Sequence, residues 1–335
     1  MTRGEASMAQ AGMAAGASML ETSHANLGLA LGGGAALGLA HIGALRVLER
    51  AGLAPAVVTG TSMGAVVGAA YAAGKLDLLE ALARQINWRR VLRLTDFRLG
   101  GSGVLEGRAI ERELRRHFGH QRIEDLPIPF AAVATDLGTG TAWTASTGDL
   151  VTAVRASISL PAVFAPVRLQ TPSGACLLVD GGLVANVPVA AARTLGADLV
   201  VGVDVTADFE SVATTVGLRD QLLPEAQRRG IRARLWSAVP AFMRGWPLLR
   251  RLRAWADEPS LLAVALASSA LALRQLSLQQ NAAAPAALTV TPRVGHIFHG
   301  EFDRAEELIR IGETAMEESL GALRRLVGAA EGRSL

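Results

Sequence analysis

An α/β fold with a mostly parallel central sheet flanked by helices is what this 335-residue sequence predicts. Three observations carry that expectation. Short apolar runs alternate with helical patterns in the first part of the chain, the order that builds a parallel sheet with helices on its faces. Two of those runs end in glycine-rich turns, the punctuation expected where a strand passes into a helix. Half of the residues are apolar but only 4% are aromatic, so a sizeable core must be built mostly from Ala, Val and Leu.

In chain order, residues 1–25 are rich in Ala, Gly, Met and Ser and read as a disordered leader. Their weakly apolar run, 8–20, is broken by glycines and lacks the compact apolar core of a signal peptide. Residues 27–31 form the first strand. The glycine-rich loop 32–38 follows, then a helix over 39–51 with Ile42, Leu45 and Leu48 among its apolar positions and Gly52 as its stop. Pro55 opens a second strand, which runs into Gly60-Thr61-Ser62-Met63-Gly64 and then a helix. Helix continues over 72–82. Residues 84–98 mix arginines with Trp88 and Phe97 as a peripheral segment, and 100–103 is a break. A charged surface helix covers 110–118, with His117 and His120 solvated near its end. Residues 130–135 read as a strand that turns at 138–140 into a hairpin through Trp143. A helix begins at Val151 and is ended by Pro161. Strands follow at 177–180 and 197–205. Residues 303–326 form a terminal amphipathic helix, with Asp303 and Glu306 in a capping-box pattern and Leu308, Ile309, Met316 and Leu320 along one face. The organisation expected is a leader over 1–25, a core over 26–206 and a helical C-terminal part over 207–335 packed on the same domain.

The stretch around Ser62 reads as a nucleophile elbow. A serine lifted out of a tight strand-to-helix turn needs small neighbours two residues away, and Gly60 and Gly64 supply them. The helix N-terminus behind it favours developing negative charge. By itself the pattern is equally a glycine-flanked turn with an idle serine. The glycine loop has three readings. A dinucleotide site wants an acid near the end of the second strand, where Val58, Thr59 and Gly60 stand instead. A Walker loop wants Gly-Lys-Ser/Thr, which is absent. The third reading, favoured because a nucleophile candidate lies on the adjacent turn, is an oxyanion hole of consecutive amides. Asp180, delivered by a strand into Gly181-Gly182, is a candidate general base; the alternative is an Asp-Gly hairpin turn. Asp204 reads as structural or loop-capping.

A formal charge of +3 is too small to suggest a nucleic-acid partner. The lone Cys176 excludes an internal disulfide and a cysteine-built metal site, which fits a reducing compartment. The longest apolar run, 261–273, is too short to span a bilayer. Residues 228–255 concentrate arginine with Trp236, Phe242, Trp246 and Trp255. That mixture suits a membrane surface; the alternative is a solvated helical excursion packing its indoles on the core.

Taken together, four blocks resemble the patatin-like phospholipases, especially their bacterial members. They are Gly32-Gly33-Gly34-Ala35-Ala36-Leu37-Gly38 with the following Leu39-Ala40-His41-Ile42-Gly43; Gly60-Thr61-Ser62-Met63-Gly64; residues 156–166; and Asp180-Gly181-Gly182 with Asn186 and Pro188. The resemblance covers roughly 27–205 and implies a patatin-like three-layer fold. It implies a Ser–Asp dyad without a catalytic histidine: Ser62 as nucleophile, Asp180 as base, and amides of Gly33, Gly34 and Ala35 as the oxyanion hole. Gly38, Gly60, Gly64, Gly181 and Gly182 support these motifs. It implies hydrolysis of acyl esters of phospholipids or lysophospholipids with no metal or other cofactor. A cytoplasmic enzyme with peripheral contact at the inner membrane face is the expected setting. Two positions depart from the family pattern: Ala35 stands where glycine is usual, and Leu37 where arginine or lysine is usual. Two rivals stand beside this reading. One is an α/β-hydrolase esterase with a triad drawing on Asp180 or Asp204 and His296 or His299. The other is a catalytically silent, membrane-associated scaffold of the same fold.

Overall fold

A computed structural model describes residues 26–86, 96, 103–171, 174–206 and 261–332. The expected leader, the Arg- and Trp-rich stretch 228–255 and most of 84–103 lie outside the described residues.

The strands are β1 (Leu27–Leu31), β2 (Val57–Thr61), β3 (Gly103–Leu105), β4 (Phe130–Asp136), β5 (Thr141–Ala145), β6 (Ala162–Phe164), β7 (Val167–Thr171), β8 (Gly174–Asp180), β9 (Leu199–Val203) and β10 (Leu288–Val290). The helices are α1 (Ala40–Arg50), α2 (Met63–Ala72), α3 (Leu76–Arg84), α4 (Arg108–Phe118), α5 (Leu150–Ser157), α6 (Val189–Thr194), α7 (Leu261–Ala283) and α8 (Ala305–Glu331). Eight strands form one sheet in the order β10-β9-β1-β2-β4-β8-β7, with β5 also on β4; β3 and β6 form a small parallel pair. From β10 to β4 every pairing is parallel. Beyond β4 the pairings are antiparallel.

Side chains alternate across the sheet as a strand's two-residue period requires. Leu27, Leu29 and Leu31 of β1, with Leu199, Val201 and Val203 of β9, enter a core shared with α1, α2 and α8. Ala30 and Val200 face the other way, against Val189 and Ala192 of α6. Helices on both faces give the three-layer α/β fold expected.

Several local expectations are corrected. Helix does not run on through 72–82. Gly74, at φ 66°, ends α2 in the left-handed conformation, and α3 starts afresh. Residues 35–39 form a 3-10 turn before α1. The terminal helix begins at Ala305 without a side-chain cap, because Asp303 lies in a preceding 3-10 turn rather than at the cap position. His117 is half-buried beside Glu113; His120 is exposed. The C-terminal part is not purely helical, since β10 extends the sheet edge beside β9. α8 packs across α1 so closely that a Cβ at Gly43 would overlap the Ile309 carbonyl oxygen, and one at Gly312 the Ala40 carbonyl oxygen. This contact holds the helix that follows the glycine loop.

Candidate active site

Parallel pairing of β1 and β2, with Leu31 opposite Gly60, brings the glycine loop and Ser62 to the same C-terminal edge of the sheet. That edge is where sites of open α/β sheets gather. Ser62 occupies the single position between β2 and α2, at φ 55° and ψ −122°. Among the described residues only Ser62 and Ala35 are non-glycines at positive φ. Such backbone costs on the order of 1–3 kcal/mol and persists where its surroundings over-determine it. The glycines of the elbow explain how it fits. A Cβ at Gly60 would overlap the Gly64 carbonyl, and a Cβ at Gly64 the Leu31 carbonyl oxygen.

Asp180 reaches the same place from the opposite direction. β4 pairs with β2 up to Val133, opposite Thr61, and then runs three residues further. β8 pairs antiparallel with that overhang, so its last residue, Asp180, stops beside Ala134. Ala134 is one step beyond the level of Thr61, which is the level of Ser62. Asp180 is therefore a strand terminus entering a 3-10 turn over Gly181–Leu183, not a hairpin turn. Its carboxylate is buried, with 4% of its surface exposed. It accepts the Gly182 N–H at 2.9 Å, and the Ser62 side chain lies close enough to lower its pKa. Burial pushes that pKa up to about 6, while Ser62 and the Gly182 hydrogen bond pull the other way. A carboxylate that is ionised at neutral pH yet costly to ionise is a competent proton acceptor.

The glycine loop lies against the serine: a Cβ at Gly33 would come within 3.2 Å of the Ser62 Cβ. Its three expected amides are not equivalent. The Gly33 N–H is donated to the Asn186 carbonyl at 3.2 Å. The Ala36 N–H goes to the His299 carbonyl at 3.0 Å, and the Leu37 N–H to the Gly34 carbonyl at 3.1 Å. The Gly34 and Ala35 amides have no partner among the described residues, and both residues are partly exposed. Ala35, at φ 49°, carries a left-handed bend within this pair. Gly38 gives Met63 room, since a Cβ there would lie 2.6 Å from the Met63 Cβ. Leu37 is fully buried in the core.

Side chains that the sequence did not single out hold this geometry. The Ser62 N–H donates to Ser157 Oγ at 2.8 Å, and Ser157 Oγ donates to the Val133 carbonyl at 2.5 Å. The Asp180 N–H donates to the Ser159 carbonyl at 2.9 Å. Thr135 Oγ1 donates to the Asp180 carbonyl at 2.8 Å, and Thr61 Oγ1 to the Ala185 carbonyl at 2.7 Å. The sequence signal for Ser157 and Ser159 lay in block 156–166, whose resemblance is visible but whose roles depend on partners far along the chain.

Four further residues fall into place. Asp204 is 1% exposed and accepts from Thr206 N and Oγ1, Ser277 Oγ and Asn281 Nδ2, which makes it the loop-capping carboxylate expected. His41 is fully buried, and burial lowers its pKa to about 4. As a neutral ring it donates Nε2–H to the Gly32 carbonyl at 2.7 Å, bracing the loop. His296 is on the surface, paired with Glu307 at 3.0 Å. The ring of His299 is held neutral by burial, its pKa lowered to about 4, and its backbone carbonyl supports the glycine loop. The segment carrying both histidines is a loop, as its composition suggests. Among the described residues no group of three or more His, Cys, Asp or Glu could hold a metal ion.

Residues 29–193 match the family model described as patatin-like phospholipase. An uncharacterized NTE family protein of Mycobacterium tuberculosis is 40% identical over 182 residues, 54% of this chain and 49% of that protein. Patatin-like phospholipase domain-containing protein 6 of Homo sapiens is 33% identical over 238 residues, 69% of this chain and 15% of that protein. Neuropathy target esterase sws of Drosophila melanogaster is 32% identical over 197 residues, 57% of this chain and 14% of that protein. The chain spans about half the length of the mycobacterial relative and a smaller share of the animal ones. The family match runs from β1 into α6 and encloses the elbow, the glycine loop and the aspartate, so residues 29–193 of this chain form a patatin-like phospholipase family domain.

Proposed function

We propose that this protein is a serine acyl hydrolase that cleaves fatty acyl esters of phospholipids or lysophospholipids with a Ser62–Asp180 dyad. The observation that carries the reading is the placement of the Ser62 side chain beside a buried carboxylate whose pKa it lowers. Ser62 Oγ attacks the ester carbonyl and its proton passes to Asp180. The Gly34 and Ala35 amides, and that of Met63 at the start of α2, hold the oxyanion of the tetrahedral intermediate. Collapse expels the alcohol, which takes the proton from Asp180, and leaves an acyl-Ser62 ester. Water then attacks that ester, gives its proton to Asp180, and the fatty acid leaves as Ser62 recovers a proton. Asp180 is thus base and acid in turn. Hydrolysis of a panel of phospholipids, lysophospholipids and soluble short-chain esters tests this. Ser62→Ala should lower turnover at least about 10³-fold on every substrate cleaved. Near wild-type turnover by a folded Ser62→Ala protein rejects the assignment.

Lipid substrates require work at a bilayer surface. No helix among the described residues is long and apolar enough to cross a membrane. The arginine- and tryptophan-rich stretch 228–255 supports peripheral docking on anionic lipid, each arginine contributing on the order of 1 kcal/mol near the surface. Changing Arg228, Arg229, Arg250 and Arg251 to Gln should weaken vesicle cosedimentation most at low salt and leave hydrolysis of a soluble ester unchanged. Equal binding by both proteins at every salt concentration removes this role.

A further inference from the structure

We propose that the C-terminal end of α5 is a two-point clamp for the dyad, and that Ser157 is a positioning residue that fixes Ser62 relative to Asp180. This inference rests on the hydrolase reading above. Two residues, 157 and 159, meet the backbone of both members of the pair. The Ser157 hydroxyl accepts the Ser62 N–H at 2.8 Å, and the Ser159 carbonyl accepts the Asp180 N–H at 2.9 Å. No other side chain binds the Ser62 backbone amide among the described residues. That amide belongs to a residue held at φ 55°, where only an over-determined serine stays.

The same hydroxyl reaches further. It donates at 2.5 Å to the carbonyl of Val133, the residue of β4 opposite Thr61. The other flank of that carbonyl is pressed against Gly181, because a Cβ there would overlap it. One hydroxyl therefore links the nucleophile's backbone to the strand against which the aspartate's turn is packed. Both of its hydrogen-bonding capacities are used in a wholly buried position, so its removal strands a donor and an acceptor together.

Arg155 keeps the clamp in place. It is 4% exposed, and its guanidinium binds Ser159 Oγ at 2.7 Å, the Glu106 carbonyl at 2.8 Å, the Ala165 carbonyl at 3.2 Å and the Gly107 carbonyl at 3.3 Å. Ser159 Oγ in turn donates to the Arg155 carbonyl at 2.8 Å. The fork geometry of a guanidinium suits this task, fastening four groups around one helix end. Ser157, Ser159 and Arg155 act through the position of Ser62 and Asp180.

Ser157→Ala tests the clamp. A displaced nucleophile should cut kcat on a short-chain ester, and the rate of Ser62 labelling by a fluorophosphonate, by about 10- to 100-fold with KM within about twofold. Loosening Ser62 also weakens the interaction that lowers the Asp180 pKa, so the acid limb of the pH–rate profile should move above about 6. The Ser62 amide should lose protection from hydrogen exchange. Ser157→Cys, close in volume and weaker as donor and acceptor, should fall between wild type and Ser157→Ala, and it serves as the primary variant if the alanine form does not fold. Wild-type labelling rate and wild-type acid limb in either folded variant overturn the proposal. Failure of the hydrolase reading looks different: the wild-type protein would leave every ester uncleaved and Ser62 unlabelled. In that case Ser62 amide exchange and an NMR titration of Asp180 still decide the clamp, unchanged values in the variant rejecting it.

Discussion

The two halves of the central sheet deliver the two candidate catalytic residues in different ways. On the parallel side, β1 and β2 are short, wholly buried strands, and each passes straight into a helix through a glycine turn. The loop and the serine come to one edge simply because the strands run the same way. On the other side, β8 and β7 form an antiparallel hairpin on the overhang of β4, and β8 is exposed at its start and buried only at its end. Asp180 reaches the serine because β8 runs antiparallel to β4 and stops at the right residue. Strain marks the parallel half, at Ser62 and Ala35. The cost in the antiparallel half is electrostatic, a carboxylate without solvent. Each half thus stores its functional expense in a different physical form, and each form predicts a different response to substitution.

Asp180→Asn probes the antiparallel half and should produce the largest divergence between activity and stability. Asparagine keeps the shape but accepts no proton, so ester turnover should fall about 10²- to 10⁴-fold. Stability should move the other way. The folded-state pKa of Asp180 is raised from 3.8 to about 6, so the native state holds the proton more tightly than the unfolded state. Its contribution to stability is complete below about pH 4 and is lost as pH rises through about 6. At pH 7.5 the buried charge therefore costs on the order of 3 kcal/mol, and the variant should be more stable by about that amount. The gain should shrink as pH falls towards 4. Denaturant unfolding at pH 7.5 and pH 4.5 measures it. Equal stability at both values contradicts the electrostatic account. In the same assay His296→Gln and His299→Gln should keep turnover within about threefold; a loss matching that of Asp180→Asn by either would install a triad in place of the dyad.

The comparison also explains which features were legible in the sequence. β1, β2, β4 and β9 are continuous apolar runs punctuated by glycine, and a local pattern suffices to find them. β6 and β7 lie in Ala162-Val163-Phe164-Ala165-Pro166-Val167-Arg168-Leu169-Gln170-Thr171, where a proline and polar residues mask two short strands. β10 is three residues long, and only its pairing with β9 makes it a strand. The direction of β8 has no local signature, because it is decided by the long-range pairing with β4. The site divides the same way. Ser62 and Asp180 announce themselves by their glycine neighbours. That the Gly33 amide is occupied by the Asn186 carbonyl, and that Ser157 holds the Ser62 amide, depends on contacts between residues 95 or more apart in the chain. Pattern reading has no access to those.

The smallest expected effect probes strain in the parallel half, at Ala35. Its left-handed backbone, φ 49°, is costly for a residue with a Cβ and free for glycine. Ala35→Gly removes that cost but gives the unfolded chain more freedom, so the two terms partly cancel. The net gain should be about 0.5–1 kcal/mol, a rise of roughly 1–3 °C in Tm for a chain of this size. Turnover should stay within about threefold, because the amide at position 35 is retained and only its Cβ is lost. The side chain is only partly buried and belongs to no core cluster, so little packing is lost with it. Thermal unfolding of the two proteins side by side decides the matter. A drop in Tm would mean that the Ala35 methyl stiffens the loop by more than the strain it imposes. A Tm gain accompanied by a large fall in kcat would show that the strained conformation itself aims the Gly34 and Ala35 amides, and that this half of the site needs its strain just as the other half needs its buried charge.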